Sequence, residues 1–271
     1  MTPRRFGLFT AVLLVLLGSA WGGGSAEESP AQGQILATYE VDLASFSLGE
    51  VHLSAKLNGR SYEMEGEGRF SLLVGGLYRG SGTTASTGRL TKGGLESSTF
   101  ALSFEGGGNK EARRLSFANG AVRKVSIVPQ KRQGRRRIPI SKEQLEDVLD
   151  PLSAVFLYRP RANALCDDIL PVFDGRLRFN LVLTPKRAET LPKDAPRGLP
   201  GRAAVCQVKF VPIGGHRPDN PAIKFATKTD EIEVWLVPLP QSDLYVPYRI
   251  VGPTPLGRGS ATLTELETKL D

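Results

Sequence analysis

The chain has little of what most enzymes and metal sites are built from. Its 271 residues include two cysteines, two histidines, two methionines and two tryptophans. The cysteines, Cys166 and Cys206, and the histidines, His52 and His216, show none of the short paired spacings of a structural zinc site. A cysteine nucleophile needs a histidine to activate it. His52 falls on the polar side of an alternating stretch, and His216 sits in the turn-rich segment Gly214-Gly215-His216-Arg217-Pro218-Asp219-Asn220-Pro221. There is no Gly-x-Ser-x-Gly elbow, phosphate-binding loop, dinucleotide fingerprint or His-Glu-x-x-His pair. Neither a cofactor nor a metal is therefore expected, and no catalytic residue is assigned. Beyond the N-terminus no apolar run approaches the roughly 20 residues that span a bilayer as a helix. Two tryptophans and six tyrosines are few for the interface girdles of a membrane β-barrel. The mature chain is expected not to be an integral membrane protein.

The N-terminal residues, MTPRRFGLFTAVLLVLLGSAWGGGSA, place Arg4 and Arg5 before an apolar core from Leu8 to Leu17, followed by small residues. This is the pattern of a secretory signal peptide over 1–26, cleaved near Ala26, with a flexible stretch over 27–34 and a single β domain over 35–271. The protein is expected in the periplasm. Removing 1–26 leaves 33 basic against 28 acidic residues, a moderate excess.

Export bears on the cysteines, because an oxidising compartment favours pairing over free thiols. A Cys166–Cys206 disulfide is the expected state, tying the segment before Asp174-Gly175 to an alternating run in which Ala204, Cys206, Val208 and Phe210 share a face. Cysteine catalysis and metal ligation remain the alternatives.

From Ile35 onward, period-two patterns bounded by turn residues mark half-buried strands. Tyr62, Met64, Gly66, Gly68 and Phe70 occupy one face while Glu63, Glu65, Glu67 and Arg69 occupy the other. Asn58-Gly59 and Asn119-Gly120 are hairpin turns. Strands are expected near 82–90, 95–104, 112–118, 121–128, 176–184, 202–211, 230–238, 244–251 and 259–267, whereas 71–78 has no clean period. Ser141 and Gln144 form a capping box, with Leu145, Val148, Leu149 and Leu152 at helical spacing, so one amphipathic helix is expected over 141–157 with a kink at Pro151. The proline- and charge-rich segment 185–201 reads as an exposed loop. The fold class is mainly β: a single curved antiparallel sheet, barrel-like or β-spiral, with that helix at its centre. Strands of ordinary length would number about ten to fourteen.

Lys131, Arg132, Arg135, Arg136 and Arg137 form a dense basic cluster, suited to an anionic partner or to a solvated hairpin tip. Nucleic acid is not expected, since the cluster lacks interleaved aromatics. Paired acids such as Asp167-Asp168 fit solvated faces better than a hydrolase site.

Several motifs carry a resemblance. Tyr39-Glu40-Val41 with Gly49, Asp150-Pro151-Leu152-Ser153-Ala154, and Cys166-Asp167 leading into Leu170-Pro171-Val172-Phe173-Asp174-Gly175-Arg176 resemble the domain-of-unknown-function 3108 family of exported bacterial proteins. Tyr245-Val246-Pro247-Tyr248-Arg249-Ile250 and Pro253-Thr254-Pro255-Leu256-Gly257 are similar to the same family. The resemblance covers most of the mature chain. It implies a periplasmic antiparallel β protein, similar in shape to the curved sheets of lipoprotein carriers, with a concave apolar interior and no catalytic residues to transfer.

The expected function is a non-catalytic cell-envelope binding or scaffolding protein holding a lipid, lipoprotein or other envelope partner. Tyr62, Met64, Phe70, Phe179 and Phe210 are the candidate lining. The alternatives are a filled β protein acting through protein partners on a strand edge, and a hydrolase of envelope polymers.

Overall fold

Strict alternation of apolar and polar residues makes strands of most of this chain. The computed structural model describes residues 32–44, 46–73, 77–130, 136–159, 165–240 and 242–270. The expected signal peptide lies outside the described residues. The strands are β1 (Gln32–Leu43), β2 (Phe46–Asn58), β3 (Ser61–Leu73), β4 (Leu77–Thr91), β5 (Gly94–Gly106), β6 (Asn109–Ala118), β7 (Ala121–Val128), β8 (Leu157–Tyr158), β9 (Asp168–Phe173), β10 (Arg178–Thr190), β11 (Arg202–Gly214), β12 (Ile232–Pro238), β13 (Leu244–Thr254) and β14 (Gly257–Leu270). β1 starts three residues ahead of Ile35, taking up part of the stretch expected to be flexible. In β3, Tyr62, Met64, Gly66 and Gly68 are buried while the intervening glutamates are exposed. The hairpin between β6 and β7 turns through Asn119 and Gly120 at φ of 52° and 73°, the left-handed pair that a two-residue turn requires.

Within the runs β1 to β7 and β9 to β14 successive strands pair antiparallel, and β1 pairs with β2 on one side and β14 on the other. The first and last strands thus meet inside one open, curved sheet, ordered β7-β6-β5-β4-β3-β2-β1-β14-β13-β12-β11-β10-β9, with β8 attached to β13. Right-handed twist curls a sheet of this width towards itself. The two ends are joined by the crossing segment: Val148 N–H donates to Gly120 O at 3.1 Å, Leu149 N–H to Pro171 O at 2.8 Å, and Phe173 N–H back to Leu149 O at 2.9 Å. A main core gathers Ile35, Tyr39, Leu57, Tyr62, Met64, Phe100, Leu115, Phe156, Val246 and Leu263. A second gathers Leu157, Leu170, Val172, Leu183, Val208 and Leu236 around Cys166 and Cys206.

The helix expected over 141–157 does not form. The capping box does: Ser141 N–H donates to Gln144 Oε1 at 3.0 Å and Gln144 N–H to Ser141 Oγ at 3.4 Å. It opens only a single 3-10 turn, Glu143–Leu145. A second turn, Ser153–Val155, follows Pro151. Between them Asp147 has a φ of 49°, and Leu149 bridges Val172 as a strand would. Pro151 supplies no N–H and drives the preceding residue to extended geometry, so the apolar positions are shared between two cores instead of lining one helical stripe.

The α-helix found among the described residues, α1 (Pro221–Lys228), lies elsewhere. Asn220 caps it by accepting from Ala222 N–H at 2.9 Å, and Pro221 occupies its first turn.

The segment 185–201 is also not an exposed loop throughout. β10 runs on to Thr190, Leu191 is buried, and Ala195 and Leu199 pack against the main core. Nearby, β13 parts from β14 beyond the Arg249 and Thr262 pair, and its residues Leu244 and Tyr245 pair with β8 instead.

Candidate functional site

The sheet's inner face carries two adjoining features, a buried polar knot and an apolar cavity. Ser86 on β4 and Ser97 on β5 stand at inward positions of alternating strands, where apolar residues are the rule. Both point at Asp150, which is fully buried. Asp150 Oδ2 accepts from Ser86 Oγ at 2.7 Å, Ser97 Oγ at 2.6 Å and Ser153 Oγ at 2.6 Å. Its Oδ1 accepts from Leu152 N–H at 2.9 Å and Ser153 N–H at 3.0 Å, and its own N–H donates to Ser97 Oγ at 3.1 Å. Five donors on one carboxyl group offset the cost of taking it out of water. Tyr62 extends the knot, with its Oη 2.7 Å from Ser153 Oγ. Burial, seconded by the Asp150 charge, pushes the Tyr62 phenol up to about 12. The knot pins the crossing segment onto the inner faces of β3, β4 and β5.

Beside it lies a cavity of about 550 Å³, lined by Tyr39, Val51, Leu53, Thr84, Phe100, Leu102, Pro151, Leu152, Val155, Pro247, Ile250 and Ala261, with Arg113 and Asp174 as its charged members. Pro151, Leu152 and Val155 come from the segment the knot holds, so the knot sets one wall. Tyr39 Oη donates to Pro247 O at 2.8 Å, and burial raises its pKa. The volume falls within the range of sites for small organic ligands.

Arg113 and Asp174 belong to a four-residue clasp between β6 and the β9–β10 turn. Arg113 Nε meets Glu111 Oε1 at 2.7 Å, Arg113 Nη1 meets Asp174 Oδ2 at 2.8 Å, and Arg176 Nη2 meets Glu111 Oε2 at 2.9 Å. Asp174 Oδ1 also accepts from Arg176 N–H at 2.7 Å and Leu177 N–H at 2.6 Å, which shapes the Asp-Gly turn. Burial would raise the Glu111 carboxyl, but Arg113 and Arg176 together hold it below its ordinary value.

None of the five aromatic and sulfur side chains expected to line an interior borders this cavity. Tyr62 and Met64 are fully buried in the main core. Phe70 lies over Gly68, 3.0 Å from where a Cβ there would stand, and borders a separate recess with Arg69 and Arg79. Phe179 and Phe210 stack on each other with centroids 5.1 Å apart, and Phe179 packs against the second core. Cys166 and Cys206 form a disulfide with Cα atoms 5.3 Å apart. Of the basic cluster, Lys131, Arg132 and Arg135 lie outside the described residues; Arg136 is exposed, and Arg137 Nη1 donates to Gly215 O. His52 is exposed beside Thr38 and Glu50, and His216 is buried. Among the described residues no three His, Cys, Asp or Glu side chains gather as they would around a metal ion.

Sequence reading missed Ser86, Ser97 and Asp150 as a unit. The available signal was polar residues at inward positions of two strands, together with an Asp-Pro that disfavours an unbroken helix.

Fold and site together define a barrel-like antiparallel β protein, stapled by a disulfide, with a buried carboxylate knot beside an apolar cavity. The chain belongs to the family described as "Protein of unknown function (DUF3108)", whose profile matches residues 38–264. A solved structure, "Crystal Structure of Beta-barrel-like Protein of Domain of Unknown Function DUF1849 from Brucella abortus", superposes with a TM-score of 0.50 over 89% of this chain and 99% of that one, at 7% identity. At that identity the likeness is one of fold. No curated protein matches the chain significantly.

Proposed function

We propose that this is a non-catalytic binding protein of the bacterial cell envelope, acting in the periplasm and holding an apolar chain, that of a lipid or of a lipoprotein, in the cavity on its inner face. The observation that carries this reading is the cavity itself: about 550 Å³ bounded mainly by aliphatic and aromatic side chains, with charge at only two of its residues. Burying a chain there gains roughly 0.8 kcal/mol per methylene taken out of water. The buried carboxylate supports a structural role over proton transfer, because Asp150 is fully enclosed and already accepts five hydrogen bonds. The disulfide suits an oxidising compartment. No helix among the described residues is long and apolar enough to cross a membrane.

The test is native mass spectrometry of the protein purified from a periplasmic extract, followed by solvent extraction and lipid analysis. A stoichiometric acyl species is expected, and Leu102→Trp, which fills the cavity, should lower its occupancy severalfold while leaving the fold intact. A ligand-free mass, together with no uptake of a fluorescent fatty acid, would overturn the reading.

A further inference from the structure

The sheet has two terminal strands, and they are finished differently. The outer side of β9 is occupied along its C-terminal half, because Leu149 bridges Val172 and exchanges hydrogen bonds with Pro171 and Phe173. β7 pairs with β6 on one side, and among the described residues no strand pairs with its other side. A row of main-chain donors and acceptors along eight residues is thus left for water or for another strand.

The side chains along that edge combine exposed apolar residues with cations. Val125 is 41% exposed and Val128 is 61% exposed. Between and beside them stand Arg123, Lys124 and, across the ladder from Ser126, Arg114, all exposed. The stretch from Lys110 to Arg137 contains ten lysines and arginines and one acid, Glu111, which is already held by Arg113 and Arg176. Arg123 sits at a register shift between Ser116 and Phe117, so the strand twists more strongly there. Two copies of β7 meeting edge to edge would bring the Arg123-Lys124 pairs towards each other, and like charges across a ladder repel. An acidic strand meets no such penalty, and the face it presents opposite its carboxylates also covers Val125, which lies on the other side of the sheet from Lys124 and Arg114.

We infer that β7 is a docking edge for an acidic, extended segment of another protein, which adds to the sheet as a further strand. Main-chain hydrogen bonds to β7 would give the affinity, and the pairing of its carboxylates with Lys124, Arg123 and Arg114 would give the selectivity. This goes beyond the cavity reading and does not depend on it.

The probe is a synthetic octapeptide alternating valine with glutamate, compared with one alternating valine with lysine, each titrated by fluorescence anisotropy into the full protein. The acidic peptide should bind about tenfold or more tightly than the basic one. Hydrogen exchange should slow at the amides of Val122 to Val128 and not across the opposite terminal strand. The double variant Arg114→Glu with Lys124→Glu, at two exposed positions, should reverse the preference between the peptides while leaving the melting temperature within a few degrees. Absence of protection at β7, or an unchanged preference in the folded double variant, overturns the proposal. So does binding only to vesicles containing phosphatidylglycerol, in which case the cations face a membrane surface.

Discussion

The ring of Tyr62 lies directly over Gly88, so closely that a Cβ on Gly88 would occupy the space of the tyrosine Oη and Cζ and also meet the Glu96 carbonyl oxygen. The two residues pair across β3 and β4, and the missing side chain lets the phenol pass over the neighbouring strand to Ser153.

Gly88→Ala should therefore destabilise the protein by about 2–4 kcal/mol, because the tyrosine must leave its site or the strands must separate. The check is the urea unfolding midpoint. A midpoint within error of the wild type would mean that Tyr62 has room to swing aside at no cost. Tyr62→Phe with Gly88 intact should cost less, about 1 kcal/mol, since it removes one hydrogen bond and leaves the ring.

Asp150→Ala should be worse than Asp150→Asn. The alanine leaves the hydroxyls of Ser86, Ser97 and Ser153 and the amides of Leu152 and Ser153 without their shared acceptor. About 3 kcal/mol or more is expected, measured by chemical unfolding. Asparagine retains one acceptor oxygen and should lose less. In both variants the wall made by Pro151, Leu152 and Val155 loosens, so hydrogen exchange should quicken over that segment before the strands respond.

Glu233 provides a pH dependence with a defined sign. Arg187 from β10 grips it at 2.9 Å and 3.0 Å, Lys186 adds a contact at 2.8 Å, and Trp235 donates to it at 3.2 Å beneath the Arg187 guanidinium. The hydrogen bonds from Arg187 outweigh burial and bring the carboxyl down from 4.5 to about 2. A folded-state value below the unfolded one gives stability that is complete above about pH 4.5 and is lost as the pH falls towards about 2. With screening of the half-exposed Arg187 and Lys186, the contribution is ~2 kcal/mol. Glu233→Gln should unfold at lower urea than the wild type at neutral pH, and the two should converge near pH 2. A gap that persists at low pH would assign the effect to packing.

The disulfide closes a loop over a sequence separation of 40 residues and sits in the second core. Replacing both cysteines with serine should cost about 2–5 kcal/mol, read as a lower melting temperature. The main core, against which Trp235 packs beside Tyr248, shares no residue with the second, so the near-ultraviolet signal of Trp235 should be retained at temperatures where the amides of Val172 and Val208 have lost their protection.

What the sequence made legible was whatever local alternation decides. The faces of β3, the turns at Asn58-Gly59 and Asn119-Gly120, and the inward side of Cys206 follow from period two and from residues that tolerate positive φ. The 141–157 helix was misread because its capping signal was real and its apolar spacing suited a helix, while Pro151 and the pull of Leu149 onto β9 acted against both. The helix Pro221–Lys228 was overlooked although Asn220-Pro221 is a cap followed by a first-turn proline. Of the knot only a hint was legible, in the inward-facing Ser86 and Ser97: Asp150 lies 64 and 53 residues from them, and only tertiary folding brings it to them. The cavity escaped for the same reason, since its walls come from β1, β2, β4, β5, β6, β13, β14, the β9–β10 turn and the crossing segment, and the aromatic residues that border it are Tyr39 and Phe100.

The side-by-side placement of β1 and β14 governs how the molecule can be assembled. A chain emerging N-terminus first can fold β1 to β7 as one meander, but the main-chain edge of β1 opposite β2 stays unpaired until Gly257–Leu270 arrives. Contacts of that span make folding slow and leave a sticky intermediate exposed in the meantime. The protein's final strand is thus its keystone. Truncations that remove β14 should yield two half-sheets prone to aggregate, and the chain needs protection from β1 through β14 before the ring of contacts can close.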